Sequence, residues 1–362
     1  MVLCCAVPLS ACEGEKKQTT SSADGGVSDK PAVDPSIAKA MAAASARRGA
    51  GTPNNPGGPP ATGVFEPGEA DKQMPRGTAP KITLGSEGSE PRVALNVQPK
   101  PGFKRTMTVQ LIMRSGRQGM PPLDFAMTLQ AQKPKAAQPA AAPGAAPQPA
   151  PTSTGPEPVA ILATVQGVRV APSQGMGVPK DAEAELAKLK GSKVEFSIQP
   201  NGAGDGFRYE LSKAADPGME NMMRSFTETL TTFILPYPDK PVGPGAFWMA
   251  TSRENAIGVD VVAYRMVKVE SVENGKVKLS VNTKRYAVDK SFDLPELPKD
   301  TKFTLDEFQS VGEGQFEMQK DMPFPASGEL SLAFVATLIP ASQPDQRSQV
   351  EARTRAAFSL GK

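Results

Sequence analysis

The chain has 362 residues, of which 37 are proline and 33 glycine, and its hydrophobic fraction is 39%. Average domains hold about 12% Pro plus Gly and about 45–50% apolar residues, so much of this chain is excluded from any core, and one domain of about 200 residues is expected rather than two. The net charge of +3 with no arginine-rich run argues against nucleic acid, and the absence of histidine removes the usual general base near neutral pH and the commonest metal ligand.

Residues 1–11 read MVLCCAVPLSA, and the only cysteines are Cys4, Cys5 and Cys12, so no disulfide staples the body of the chain. Leu9-Ser10-Ala11-Cys12 resembles the lipobox of bacterial lipoprotein signal peptides. The resemblance implies cleavage before Cys12, diacylglycerol on its thiol, and loss of Cys4 and Cys5 with the signal peptide, residues 1–11. No Lys or Arg precedes the short apolar stretch, a departure that a start codon upstream of Met1 would explain. No run reaches the 18 apolar residues of a membrane span, so attachment would rest on the lipid. Glu13 stands where some bacteria use aspartate to retain lipoproteins at the inner membrane. The expected location is therefore the cell envelope, at the outer membrane facing the periplasm.

Residues 12–80 are expected to form a disordered tether, because Ser, Thr, Gly, Ala and Pro dominate and too little apolar surface exists to offset ordering entropy. Within it, Ile37 to Arg48 has helix-forming composition but only Ile37 and Met41 as sizeable apolar groups. The domain is expected over 81–340, interrupted at 132–158 by a disordered Ala/Pro-rich insert that reads as a spacer in a hairpin loop.

Strand signals begin at Phe103–Met113, where Phe103, Met107, Val109 and Leu111 alternate with polar residues. Leu123–Gln130 and Val159–Val170 follow. The segment DAEAELAKLK at 181–190 suggests a small helix carrying Leu186 and Leu189. Lys193–Gln199 and Phe207–Ser212 flank the turn-forming loop 200–206 and form a hairpin.

A long helix is expected over 216–235. Asp216 is its N-cap, Pro217 its first residue, and Met219, Met222, Met223, Phe226, Leu230, Phe233 and Ile234 form one apolar face before Pro236 ends it. Phe247–Thr251 leads to a second hairpin, Val259–Val272 with Lys276–Val288, across Glu273-Asn274-Gly275. Its second arm turns Val277, Leu279 and Val281 one way and Lys276, Lys278, Ser280 and Asn282 the other. Phe303–Val311, Gly314–Gln319 and Glu329–Pro340 complete the set, the last apolar on both faces and so central or covered. Residues 341–362 read as a polar tail, loose or weakly helical.

The fold class is thus mainly β (α+β): a curved antiparallel sheet or half-barrel of roughly ten to twelve strands with one long amphipathic helix packed on it. That arrangement resembles the half-barrels of periplasmic lipid and lipoprotein carriers, in which a helix plugs a greasy concave face. More specifically, Pro238, Val242, Gly245 and Trp248 with the following hairpin resemble an uncharacterised family of bacterial lipoproteins, in which a Pro-x-x-x-Val-x-x-Gly-x-x-Trp pattern precedes the hairpin. Ala246 replaces that family's usual aspartate. The likeness covers most of 92–340 and carries no established activity.

No catalytic residue, metal ligand set or cofactor is expected. Asp306, Glu307, Glu313 and Glu317 lie on adjoining predicted strands without visible desolvation, and no Gly-x-Ser-x-Gly elbow or phosphate loop occurs. Lys268, Lys276, Lys278, Lys284 and Arg285 form a basic face or protect a sheet from edge pairing. The Met-rich helix is the feature with most promise, since Met suits varied apolar partners. Met222, Met223, Phe226, Leu230, Phe233 and Trp248 are the candidate lining of an apolar ligand groove, with Trp248 at the seam of sheet and helix. Two readings follow for a non-enzymatic, membrane-anchored lipoprotein. One binds a lipid or other apolar ligand between helix and sheet. The other presents a closed-core module to another envelope protein.

Overall fold

Period-two alternation of apolar and polar side chains runs through most of the chain beyond residue 80, and it builds a single antiparallel sheet. The computed structural model describes residues 60–95, 99–100, 102–116, 118–132, 157–171, 180–256, 258–291, 303–319, 322 and 324–361. All of them belong to one unit, Gly51–Lys362. The lipobox with Cys12, residues 13–59 and most of the insert, 133–156, lie outside the described residues.

Thirteen strands are present among the described residues: β1 (Lys81–Ser86), β2 (Lys104–Ser115), β3 (Gln118–Gly119), β4 (Leu123–Ala131), β5 (Val159–Val170), β6 (Lys193–Ile198), β7 (Gly204–Glu210), β8 (Phe247–Ala256), β9 (Val259–Glu273), β10 (Lys276–Ala287), β11 (Phe303–Gln319), β12 (Pro325–Pro340) and β13 (Ser348–Leu360). Three short helices accompany them: α1 (Glu69–Gln73), α2 (Lys180–Ala187) and α3 (Glu220–Phe233). The strand order is β1-β8-β9-β10-β11-β12-β13-β2-β4-β5-β6-β7, with β3 pairing β2 alone. None of the helices among the described residues is long and apolar enough to cross a membrane.

Both expected hairpins form. Asn274 and Gly275 both take left-handed angles, φ 51° and 75°, so the two-residue turn matches the twist of β9 and β10. In β10, Val277, Leu279 and Val281 are buried while Lys276 and Lys278 are exposed. Residues 132–158 join β4 to β5, which pair antiparallel from Leu123↔Val170 to Ala131↔Ile161.

Several expectations are corrected. The two strands expected at 303–311 and 314–319 are one 17-residue strand, β11. Gly312 and Gly314 do not turn the chain; they make room, because a Cβ on Gly312 would lie 2.3 Å from Leu332 Cδ2 and one on Gly314 2.8 Å from the Glu329 carbonyl oxygen. The tail at 341–362 holds β13, whose alternating Val350, Ala352, Ala356 and Phe358 meet the core. Residues 64–74, expected as part of a disordered tether, instead pack on the domain: Val64, Phe65, Ala70 and Met74 are buried. The helix expected over 216–235 is only 14 residues long. Asp216 does cap, accepting from the Gly218 N–H at 3.0 Å, but the turn it caps is the 3-10 segment Pro217–Met219, and the backbone is already extended at Ile234.

Residues 60–74 form a strap that ties the described N-terminal end to the sheet. Phe65 N–H donates to the Ala287 carbonyl (2.9 Å), Ala287 N–H to Gly63 (2.8 Å) and Phe308 N–H to Thr62 (3.0 Å). Arg253, whose side chain is 7% exposed, binds Asp260 through Nε (2.9 Å) and reaches Asp71 of α1. Tyr264 donates its hydroxyl to Gln73 (2.6 Å).

Candidate functional site

Of the residues singled out from the sequence as a groove, Met222, Met223, Phe226, Leu230 and Phe233 lie on α3 and Trp248 on β8, all within or against one core cluster. Met223, Phe226 and Trp248 are fully buried, Leu230 and Phe233 nearly so, and Met222 is half-buried at the margin. Phe226 stacks on Phe125 of β4, with centroids 4.2 Å apart and planes at 17°. Phe233 packs against Phe358 of β13 (4.4 Å) and edge-on to Phe316 of β11 (6.4 Å). Beyond the helix, Trp248 of β8 donates its indole N–H to the Pro236 carbonyl (3.0 Å) and meets Tyr237 edge to face. Tyr237 in turn donates its hydroxyl to the Met318 sulfur at 3.1 Å. These contacts satisfy one another within the protein and present a filled seam.

Four threonines let the helix enter this apolar surround. The hydroxyls of Thr227, Thr229, Thr231 and Thr232 each donate to a carbonyl three or four residues back, so no hydroxyl is stranded. Among the described residues no buried side-chain nitrogen or oxygen lacks a partner.

One buried ionic cluster was not foreseen. Arg265 of β9 and Arg285 of β10 are 4% and 7% exposed, and both bind Glu254 of β8, Arg285 through Nε at 2.8 Å. Arg265 also donates to Ser252 Oγ at 2.7 Å. Burial works to raise the Glu254 carboxyl, yet the two guanidinium groups hold it below its ordinary range. Burial lowers Arg285, against the support of Glu254 and of the Glu228 charge on α3. Alternation explains the placement: Arg285 shares a face with Val277, Leu279 and Val281, not with the lysines it was grouped with. Nor do those lysines guard an edge, because β10 lies between β9 and β11; Lys276 pairs with Glu317 at 2.8 Å. The four carboxylates expected on adjoining strands, Asp306, Glu307, Glu313 and Glu317, sit on the single strand β11, where Asp306 binds Arg347 at 3.0 Å.

An open cleft of about 620 Å³ lies elsewhere, along β1. Ile82 and Leu84 line it from the strand; Arg92 and the segment Pro238-Asp239-Lys240 form its other wall. Glu87 accepts from Arg92 Nη1 (2.8 Å) and Lys240 Nζ (2.9 Å), and that hydrogen bond and charge from Lys240 hold its carboxyl below the ordinary range. The second wall is fixed by backbone pairing of Val93 with Val242 and of Gly243 N–H to the Glu87 carbonyl, all at 2.8–2.9 Å. Gly243 must be glycine because a Cβ there would lie 1.8 Å from the Ser89 carbonyl oxygen. The Pro238 to Trp248 pattern therefore builds one side of this cleft and delivers the chain into β8. Sequence reading missed β1, although Lys81-Ile82-Thr83-Leu84 carries the required alternation. No family model matches the sequence, and no curated protein matches it.

Proposed function

We propose that the protein is a lipid-anchored lipoprotein of the bacterial envelope, held through Cys12, whose β domain is a non-enzymatic module for binding another envelope protein. The observation that carries this reading is the filled seam between α3 and the sheet. Phe226 and Phe233 are packed on rings from β4, β11 and β13, and Met223 and Leu230 beside them are buried, so the apolar surface that a ligand would need is already covered by the protein itself. We read the sheet as curved about α3 in the manner of a half-barrel, since side chains on strands as far apart in the order as β8 and β4 meet the single segment from Phe226 to Tyr237. The absence of histidine and the pairing of Glu254 with two arginines support a role without acid–base chemistry.

The alternative, an apolar ligand or acyl chain bound between helix and sheet, requires α3 to leave its seat. Intact mass of the protein purified from membranes of a native-like host, beside a Cys12→Ala variant, separates the readings. A mature chain starting at an acylated Cys12 with no further lipid supports the module. Stoichiometric lipid beyond the anchor favours the ligand reading, and an unmodified Cys12 overturns the anchor.

A further inference from the structure

We propose that the leading end of the strap, residues 60–65, is one arm of a conformational switch: it is wedged into a gap in the β10–β11 ladder that those two strands can close by themselves. Neither the anchor nor a partner protein enters this inference, which stands apart from the proposed function.

The register carries it. β10 and β11 pair residue for residue from Lys276↔Gln319 to Arg285↔Ser310, and there the ladder stops. Counting on from Arg285 to Ser291, and back from Ser310 to Thr304, restores a pair: Ser291 and Thr304 bridge antiparallel, and Leu305 N–H donates to the Lys290 carbonyl at 2.9 Å. The strands therefore part and rejoin without a slip of register. In the interval the same count sets Ala287 opposite Phe308, and the strap intercepts both. Ala287 N–H donates to the Gly63 carbonyl (2.8 Å), the Ala287 carbonyl accepts from Phe65 N–H (2.9 Å), and Phe308 N–H donates to the Thr62 carbonyl (3.0 Å). On the other side of β10 it is Val288 that donates to Asp260 of β9 (2.9 Å), so Ala287 turns its main-chain groups toward β11. With the strap withdrawn, Ala287 and Phe308 can exchange N–H and carbonyl as the next mutual pair, and neither donor is left without a partner.

The two arrangements exclude one another. Paired strands run about 4.8 Å apart and admit no third backbone, and the strap lies so close to β11 that a Cβ on Gly63 would fall 1.6 Å from the Phe308 carbonyl oxygen. Its side chains straddle the gap: Val64 joins Val261 and Ala287 in one cluster, while Phe65 meets Tyr286 edge-on at 6.1 Å in another. Holding the strap buries Val64, Phe65, Ala70 and Met74 against the entropy of ordering residues 60–74. Withdrawal returns that entropy and the missing β10–β11 rung together, so two packings of one sequence compete. The withdrawn state uncovers Val262 and Val288, with Tyr264 and Tyr286 beside them, which Phe65, Ala70 and Met74 now cover.

Residue-resolved amide hydrogen exchange on the full chain tests this with two variants: Gly63→Ala crowds the Phe308 carbonyl, and Phe65→Ala only removes a ring. In both, the amide of residue 65 is expected to exchange about tenfold faster than in the unsubstituted chain, while the Ala287 and Phe308 amides, handed to one another, stay within about threefold of their former rates. A wedge with no alternative behaves otherwise: all three amides lose protection together, and that result in either folded variant overturns the proposal. So does unchanged exchange at residue 65 in both variants. A Phe65→Ala chain that lacks the far-ultraviolet spectrum of the unsubstituted protein overturns it as well, because a strap the fold cannot lose is no switch.

Discussion

Tyr237 carries its hydroxyl into the core, where burial raises it well above its ordinary value of 10.0 and the Met318 sulfur is its acceptor. A raised pKa means the folded state holds the proton longer than the unfolded chain. The stability this gives is complete below about pH 10 and is lost as pH climbs from there toward the folded value. Tyr237→Phe is expected to flatten the alkaline limb of a denaturation-versus-pH curve while costing about 1 kcal/mol or less at neutral pH. Glu254 has the opposite sign. Its depressed pKa contributes stability above the ordinary carboxylate range that disappears as pH falls through the folded value. Glu254→Gln strands two buried guanidinium groups and is expected to cost about 3–5 kcal/mol in urea unfolding. Replacing Glu254, Arg265 and Arg285 together by apolar residues of similar volume is expected to recover most of that loss.

Among the elements, α3 is held by its rings. Phe226→Ala removes the partner of Phe125 and is expected to cost about 3–5 kcal/mol, measured by chemical denaturation with an unchanged far-ultraviolet spectrum before the transition. The face of this helix was legible in the sequence because Met223, Phe226, Leu230 and Phe233 recur at helical spacing, and the β9–β10 hairpin was legible because Asn274-Gly275 leaves few alternatives. Its length was not legible: Pro217 and Asp216 signal a helical start, and nothing local distinguishes a 3-10 turn from the first turn of an α-helix. Gly312 and Gly314 misled for a different reason, since close approach of a neighbouring strand and a break in the chain select the same residue. β13 was overlooked because its outward positions, Glu351, Arg353 and Arg355, give the segment the composition of a tail. Strand β1 was overlooked because four alternating residues are a weak signal next to a long Pro/Gly-rich stretch, and Arg92 and Lys240 meet only after the fold brings residues 148 positions apart together through Glu87.

Across the whole molecule the last strand is the keystone of the sheet order. Among the described residues, strands β2, β4, β5, β6 and β7 form one run, β1 and β8 to β12 another, and β13 alone pairs with both, through β2 and β12. A chain ending at Gln346 is expected to lose cooperative unfolding, read as divergence between fluorescence and circular-dichroism transitions, because the two runs no longer share a ladder. Joining the two runs likewise depends on β13, so slow refolding is expected for a sheet whose central pairings are this distant in sequence. The strap has a mechanical consequence. Tension entering the domain at residue 60 is delivered first to Ala287 and Phe308, in the middle of the sheet, and through Asp71 to Arg253, before it can reach β1. Load is thereby spread over interior rungs that must rupture together, and the edge is spared from being unzipped one rung at a time. Gly63→Ala, whose Cβ would fall 1.6 Å from the Phe308 carbonyl oxygen, is expected to release that fastening and lower the rupture force for pulling from the N-terminal side, while a pull applied elsewhere meets the same resistance as before.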